Sequence, residues 1–283
     1  MDYEDIVLRI DDPVAIVTIN RPAQFNAFTG TTLHELRHAF GVAEQDRRVV
    51  GIILTGAGER AFCSGVDASM LRGALVDGAD AVGPEGQGWF GTYPGDPQMA
   101  DMQRTFTWPI AIRKPVIAAI NGVCAGGGFV LATACDLRFA SENARFNTVF
   151  AKRGLVAEHG VSWLLPRIVG HSRALDLLWS SRSIDAHEAL AIGLATRVVK
   201  PTSLITECVS YLETLARHSS PHSLMVSKRL VYRHLTESLP KAVDAADLLT
   251  EEALRRPDAI EGTLSWLERR DPDFARLDLE ASS

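Results

Sequence analysis

The sequence predicts an α/β protein in which short strands alternate with helices, followed by a purely helical C-terminal region. Short β-branched runs bounded by turn residues recur between segments with helically spaced apolar residues up to about residue 200. Beyond that point prolines separate successive segments with helical spacing. Such alternation is typical of a layered α/β core and argues against an all-β sandwich.

The N-terminal elements set this pattern. Residues 6–10 and 14–19 are β-branched runs on either side of a turn cluster, which predicts a hairpin. Residues 31–45 carry apolar side chains at helical spacing, and Thr29 precedes them as the expected N-cap. A buried strand is predicted over residues 49–54, so the order is strand, strand, helix, strand.

A second series of the same kind begins near residue 115. Residues 115–120 predict a strand that ends at Asn121 and Gly122, residues 126–135 a buried helix, and residues 137–140 another strand. C-terminal helices are predicted over residues 204–217, 223–236, 241–256 and 259–269. We therefore expect a core of residues 1–202 and a helical C-terminal lobe of residues 203–283.

Residues 73–105 interrupt the alternation. They are rich in glycine and proline and show little periodicity. Segments this long inside a compact domain are usually functional or disordered. Because Trp89, Phe90 and Tyr93 favour burial, a lid or pocket wall is preferred over a disordered linker.

Composition excludes several functional classes. The 283 residues are 46% hydrophobic and 23% charged with a net charge of -6, which argues against a nucleic-acid surface. The acidic N-terminus lacks a secretory signal and no apolar run reaches membrane-spanning length, so a cytoplasmic protein without membrane association is expected. The four cysteines lack metal-ligand spacing, which predicts buried free thiols and neither a metal site nor a redox role.

Two glycine-containing turns carry the functional signal. Residues 61–67 read AFCSGVD and residues 121–128 read NGVCAGGG, and each follows an apolar strand and opens toward a helix. Together they could direct two backbone N–H groups at one oxygen, which stabilises a carbonyl that becomes an oxyanion or enolate. Glycines that merely permit tight turns are the alternative for each turn taken alone.

These turns and the segments around them resemble the crotonase superfamily, also called the enoyl-CoA hydratase/isomerase family. The similar segments run in the family order over nearly the whole chain. They are residues 20–22 (NRP), 61–67, 114–122 (KPVIAAING), 126–128 (GGG), 135–138 (CDLR) and 184–189 (IDAHEA).

The resemblance implies a spiral of strand–strand–helix repeats, here residues 1–202, that carries the site for an acyl-CoA thioester. It also implies that the helical lobe of residues 203–283 mediates oligomerisation into a trimer or a dimer of trimers. It places the thioester oxygen between the N–H groups of Val66 and Gly127. Coenzyme A is then part of the substrate, and no separate cofactor is expected. The expected substrate contacts are Arg21, Phe25, Ala61, Ser64, Gly65, Asp67, Gly126, Val130, Phe150 and Trp163.

Charged and aromatic residues elsewhere have weaker assignments. Lys228 or Arg229, like Arg21, is read either as a contact for CoA phosphates or as a solvated cation. Phe274 resembles a C-terminal aromatic that packs near the adenine in some relatives. Asp67 is expected to cap a helix that begins near Ala68.

The usual acids of the family's hydratases are missing. Their two glutamate positions fall on Val130 and Phe150, neither of which transfers a proton. Glu158 resembles the aspartate position of family dienoyl-CoA isomerases and some hydrolases, and it becomes the candidate acid or base. His159 is a candidate to orient Glu158 or to carry a second proton. The alternatives are a solvated loop carboxylate for Glu158 and simple packing for His159.

This arrangement favours double-bond isomerisation or an unconventional hydration of an acyl-CoA. One carboxylate suffices to shuttle a proton, whereas hydration also needs an activated water. Hydrolysis of a carbon–carbon bond in a β-keto acyl-CoA is the enzymatic alternative. A catalytically silent acyl-CoA-binding protein is the alternative from another class, and it is favoured by Val130 and Phe150.

Overall fold

The fold consists of two stacked series of strands and the helices that cover them. The structure is a computed structural model that describes residues 2–67 and 93–279. Its strands are β1 (Ile6–Asp11), β2 (Val14–Ile19), β3 (Gly51–Gly56), β4 (Ala61–Cys63), β5 (Val116–Ile120), β6 (Val123–Ala125), β7 (Leu137–Ser141), β8 (Arg145–Asn147), β9 (Ile184–Asp185) and β10 (Arg197–Val199). Its helices are α1 (Gly30–Gln45), α2 (Gly127–Ala134), α3 (Val161–Val169), α4 (His171–Ser180), α5 (Ala186–Ala191), α6 (Leu204–His218), α7 (Pro221–His234), α8 (Leu239–Leu254) and α9 (Pro257–Glu268).

The strands form two sheets. From β3 to β8, each turn of the spiral contributes one strand to each sheet. One sheet has the order β1-β2-β3-β5-β7-β10, parallel except for the β1–β2 pair. The other has the order β4-β6-β8-β9, parallel except for the β8–β9 pair. Consecutive strands such as β5 and β6 enter different sheets, and α2 follows them. The predicted α/β spiral of strand–strand–helix repeats is confirmed.

The N-terminal predictions are confirmed with small shifts. β1 and β2 pair antiparallel with Ile6 opposite Ile19, as the β-branched runs predict. Thr29 caps α1, and its side chain accepts a hydrogen bond from the Thr32 N–H in a capping box. β3 begins two residues later than predicted, at Gly51, because residues 49 and 50 form the buried approach to the strand.

The C-terminal helices differ in what they bury. α6 covers the outer face of the six-stranded sheet, where Leu204, Cys208 and Leu212 pack against residues such as Ile53 and Phe139. No residue of α8 is buried, and in α9 only Ser265 is. The predicted helices are confirmed within about two residues, and α6 belongs to the packing of the core sheet.

Part of the Gly- and Pro-rich segment is packed against α7. Asp96 is buried, caps the 3-10 helix Pro97–Met102 and lies 3.3 Å from Arg229 Nη1. Met99 of this helix is also buried. Residues 93–105 are therefore packed against the rest of the fold. The predicted burial of Trp89 and Phe90 lies outside the described residues.

Two further predictions concern the cysteines and the membrane. All four cysteines are buried free thiols, and burial raises the pKa of Cys63 to about 12. Within residues 2–67 and 93–279, no helix combines the length and the apolar character needed to cross a bilayer.

Candidate active site

The two glycine turns meet where β4 and β6 end. These strands are parallel neighbours, with Ala61 opposite Val123 and a register shift between Ala61 and Cys63. A Cβ built on Gly65 would lie 3.3 Å from the backbone N of Gly127 and 3.1 Å from the carbonyl O of Ala125. The turns predicted from distant parts of the sequence are thus in direct contact, at the strand ends where ligands bind in parallel α/β sheets.

The N–H of Val66 points away from the neighbouring chain segment. Phe28 donates its N–H to the carbonyl O of Gly65 at 2.9 Å, and its own carbonyl O accepts the N–H of Asp67 at 3.0 Å. Carbonyl and N–H point in opposite directions across a trans peptide. Because the Gly65 carbonyl is directed at Phe28, the Val66 N–H is directed to the other side, and no acceptor for it occurs among the described residues.

The N–H of Gly127 is the first of helix α2. The carbonyl O of Gly126 accepts the Val130 N–H at 3.1 Å, so the Gly126–Gly127 peptide is aligned with the helix axis. The first N–H groups of a helix have no intrahelical acceptor, and the helix dipole there favours negative charge. The Gly127 N–H therefore extends from the helix end beside the Gly65–Val66 turn as a second donor.

Glycine is required at these positions for reasons of space and conformation. Gly65 has φ of +101°, which side chains disfavour. A Cβ on Gly127 would lie 2.5 Å from Phe28 Cζ and 3.2 Å from Phe106 Cζ. Two phenylalanines thus fill the space beside Gly127 and hold the turn.

A clamp of charged and amide groups fixes the first turn. Arg21 Nη1 lies 3.0 Å from Asp67 Oδ2 and also donates to the carbonyl O of Ala27, while Arg21 Nε lies 3.2 Å from Asp5 Oδ1. Asn26 donates to the carbonyl O of Ala61 at 2.7 Å and accepts the Arg21 N–H at 3.0 Å. Arg21 is therefore paired within the protein, and its contact with CoA stays a prediction, as does the cap of a helix after Asp67.

The Cys63 thiol lies directly beneath the first turn. Its Sγ accepts the N–H of Gly65 at 3.4 Å. With its pKa raised to about 12 by burial, the thiol stays protonated near neutral pH. Cys63 is consequently a packing residue at this position and not a nucleophile.

The proposed acid and its neighbour lie on the loop before α3. Glu158 is partly exposed, with 35% of its side chain accessible, and its Oε1 lies 3.8 Å from His159 Nε2. His159 has a left-handed backbone with φ of +55° and packs edge-on against Phe106, with ring centroids 4.8 Å apart. Since Phe106 also approaches Gly127, the ring of His159 is one aromatic side chain away from the second donor.

The positions of the usual glutamates are apolar and buried. Val130 lies on the first turn of α2 and is fully buried. Phe150 is 3% exposed and lines a cavity together with Leu155, Ala174 and Leu178. Neither position holds a polar atom that could move a proton, as the sequence indicates.

The remaining predicted contacts surround the first turn or the loop. Phe25 is exposed on the surface beneath the guanidinium of Arg60, which lies 3.8 Å from its ring centroid, and its carbonyl O accepts the Ser64 N–H at 3.1 Å. Trp163 lines a cavity beside His159, and Arg167 stacks 4.1 Å from its ring centroid. Direct contact of these residues with substrate stays a prediction.

The reading of Lys228 as a phosphate contact or a solvated cation is wrong. Its Nζ is nearly buried, lies 2.8 Å from Asp136 Oδ2 and donates to the carbonyl O atoms of Pro109 and Lys114. Asp136 also accepts the Val116 N–H at 2.7 Å and the Tyr232 hydroxyl at 3.1 Å, so its carboxylate joins β5 to α7. The cation belongs to a buried network that the sequence does not reveal, because its partners lie far away along the chain.

Arg229 and Phe274 are the two remaining residues that were expected to contact CoA. Arg229 is only partly exposed and pairs with Asp96 and Gln98. Phe274 packs over Gly262 of α9, with its Cζ 3.5 Å from the position of a Cβ there, and its approach to an adenine stays a prediction.

Three residues that organise the site were missed by sequence reasoning. Phe28 pairs with the first turn and packs on Gly127, Phe106 links Gly127 to His159, and Asn26 joins Arg21 to Ala61. No local pattern marks the two phenylalanines, since each acts through contacts distant in sequence. Asn26 gives only a weak local signal, as an asparagine in the turn after the second strand.

The fold and the contact between the two glycine turns together define a class of α/β spiral proteins. A family model described as enoyl-CoA hydratase/isomerase matches residues 9–88 and 97–276, which is most of the chain. The chain therefore belongs to the enoyl-CoA hydratase/isomerase family, the crotonase superfamily that the motifs resemble, and it is an enzyme of that type.

Individual relatives agree with this assignment. The chain is 31% identical to a short-chain-enoyl-CoA hydratase of Clostridium acetobutylicum, over 95% of this chain and 97% of the relative. It is 32% identical to a crotonyl-CoA hydratase of Syntrophomonas wolfei, over 97% of this chain and 99% of the relative. A solved enoyl-CoA hydratase from Bacillus anthracis is 28% identical with a TM-score of 0.84, covering 96% of this chain and 99% of that chain.

Proposed function

We propose that the protein binds an acyl-CoA thioester and stabilises its enolate with the N–H groups of Val66 and Gly127. The observation that carries this proposal is the contact between the two turns, together with the direction of the Gly65–Val66 peptide and the position of Gly127 at a helix N-terminus. Negative charge that develops on the thioester oxygen is then met by donors already in place, which need no reorganisation during the reaction.

Glu158 acts as the acid or base in this proposal. Its carboxylate precedes α3 and lies beside His159, whose ring reaches the second turn through Phe106. His159 then orients Glu158 or carries a second proton. Removal of the α- or γ-proton by Glu158 and its return at the other carbon would move the double bond without a second carboxylate.

Isomerisation and hydration are favoured by different observations. The named relatives are hydratases, which supports addition of water to an enoyl-CoA. Val130 and Phe150 replace both usual glutamates, so hydration here would need Glu158 to activate water and would be unconventional. Isomerisation needs the smaller set of groups, and the two reactions are separated by assay.

The test compares Glu158→Gln with Glu142→Gln, an exposed glutamate in the β7–β8 turn. Hydration is followed as loss of the absorbance of a conjugated enoyl thioester, and isomerisation as its appearance from a β,γ-enoyl-CoA. We expect Glu158→Gln to lower turnover by roughly 10² to 10⁴. Affinity for a non-reactive CoA thioether should change little, and Glu142→Gln should behave as wild type.

Three outcomes would contradict this mechanism. Tight thioether binding with no turnover of enoyl, dienoyl or β-keto acyl-CoA would favour the silent binder that Val130 and Phe150 suggest. Cleavage of a β-keto acyl-CoA would instead favour the carbon–carbon hydrolase, in which His159 helps to activate water. Unchanged turnover in Glu158→Gln would remove Glu158 from the mechanism.

Assembly through the C-terminal helices is part of the proposal. α8 and α9 expose large apolar residues that a monomer would leave in water. They are Leu239, Val243, Leu248, Leu254, Ile260, Leu264, Trp266 and Leu267. We expect light scattering to give the mass of a trimer or a dimer of trimers, and a monomer at micromolar concentration would contradict it. Cytoplasmic location stays a prediction from the sequence.

A further inference from the structure

A cavity of about 510 Å³ is bounded on one side by His159 and is here called the His159 cavity. Its body is apolar, and the hydroxyls at its wall are already used, because Thr107 donates to the carbonyl O of Met102 and Thr236 to that of Arg233. It is lined by Asp101, Met102, Arg104, Thr107, Ile110, His159, Gly160, Trp163, Leu164 and Thr236. Its volume suits the acyl portion of a thioester.

The His159 cavity adjoins the pair of N–H donors. His159 forms part of its wall and packs on Phe106, whose Cζ lies 3.2 Å from the position of a Cβ on Gly127. Phe106 and His159 therefore connect the second donor to the wall of the cavity, and an acyl chain that follows these two side chains from the donors would reach it.

The charges of the cavity wall are unequal. Asp101 is compensated, because its Oδ2 lies 2.8 Å from Arg233 Nη1. Arg104 is exposed, its Nη1 donates to the carbonyl O of Gln103 at 3.1 Å, and it forms no ion pair within residues 2–67 and 93–279. An apolar cavity with a guanidinium that has no ion-pair partner in the described part of the chain fits a ligand that is apolar along its length and anionic at its end.

We infer that the His159 cavity receives the distal part of the acyl group and that Arg104 selects acyl groups ending in a carboxylate. This inference rests on the proposed function. The guanidinium can hold a carboxylate with two parallel charge-assisted hydrogen bonds, while Met102, Ile110 and Trp163 surround the chain that leads to it. The substrate class is thus a CoA thioester of a dicarboxylic acid.

The experiment uses non-reactive thioethers of CoA and the full chain. Calorimetry compares S-hexyl-CoA with the analogue in which a carboxylate replaces the terminal methyl group. We expect wild type to bind the carboxylate analogue about tenfold more tightly. Arg104→Gln should lose this preference and bind S-hexyl-CoA and free CoA as before. Arg153→Gln changes an exposed arginine outside the cavity and should keep the preference.

A second variant tests the location independently of charge. Met102→Trp fills part of the cavity and should weaken S-hexyl-CoA at least tenfold while S-ethyl-CoA binds unchanged. Equal affinity of wild type for both long thioethers, or a preference that persists in Arg104→Gln, would overturn the role of Arg104 but leave the proposed function intact. Equal loss of long and short thioethers in Met102→Trp would overturn the location. Failure of every thioether to bind would remove the proposed function itself.

Discussion

The paired glycine turns and the loop of residues 150–160 differ in how firmly the fold holds them. In the turns, the backbone groups on either side of Val66 are hydrogen-bonded to residues 25 and 28, a Cβ is excluded from Gly127, and Asn26 and Arg21 act from another segment. The loop exposes Lys152 and Val156 and leaves a third of Glu158 accessible. In the proposed function, the firmly held backbone turns would stabilise the intermediate, whereas side chains of the more exposed loop would decide which reaction it undergoes.

The largest expected effect comes from Gly127→Ala. Its Cβ would meet Phe28 Cζ at 2.5 Å and displace the second donor. Loss of one donor of this kind costs roughly 10² to 10³ in turnover, and we expect at least that. Steady-state kinetics with a melting curve checks it. Near-normal turnover in a folded Gly127→Ala protein would show that the turn can absorb the added Cβ and is not held firmly.

Arg21→Met should have the next largest effect. It leaves Asp5 and Asp67 without their shared cation, which we expect to lower the free energy of unfolding by about 2–3 kcal/mol. A shifted first turn should reduce kcat roughly tenfold with little change in KM. Denaturant titration and kinetics measure both. A rise in KM with kcat intact would instead assign Arg21 to CoA binding, as the sequence suggests.

The free energy of unfolding should depend on pH through Lys114, which lies outside the two turns. This buried ammonium donates to the carbonyl O atoms of Ala43 and Asp46, and burial lowers the pKa of Lys114 to about 8 from an ordinary value of 10.5. The folded chain thus releases this proton at lower pH than the unfolded chain. The cost of the buried charge is present below pH 8 and is relieved as the pH rises toward 10.5.

The matched measurement is the stability of wild type relative to Lys114→Met. We expect this difference to move in favour of wild type by about 1–2 kcal/mol between pH 8 and pH 10. Urea titrations across that range measure it. A difference that is flat with pH would show that Lys114 does not titrate there.

The smallest effect is expected for Gly41→Ala, which is the control for Gly127→Ala. Gly41 lies within α1, and a Cβ there would meet only Pro94 Cβ at an ordinary 3.6 Å. Alanine should raise the free energy of unfolding by less than about 1 kcal/mol without changing turnover. Loss of turnover in this variant would mean that glycine replacements disturb the molecule generally and would weaken the contrast between the two regions.

Sequence reasoning succeeded where the signal is local. β-branched runs, the Thr29 cap and the proline-separated helices are each encoded within a few residues, and they appear in the structure near their predicted bounds. The three-residue strands β4, β6 and β8 are too short for a periodic signal and were read only as parts of turns or missed. Lys228 was misread because Asp136 and the carbonyl groups that bind it are brought together only by the fold.

Parallel pairing of β4 with β6 makes the separation of the two donors independent of the chain that joins them. The distance follows from the interstrand spacing of about 4.8 Å and from the close approach of Gly65 to Gly127. The two turns therefore keep their spacing as long as this strand pairing and Phe106, which packs beside Gly127, stay in place. In the proposed function, relatives that keep this pairing would share one hydrogen-bonding geometry for the thioester oxygen, whatever acyl group their side chains admit.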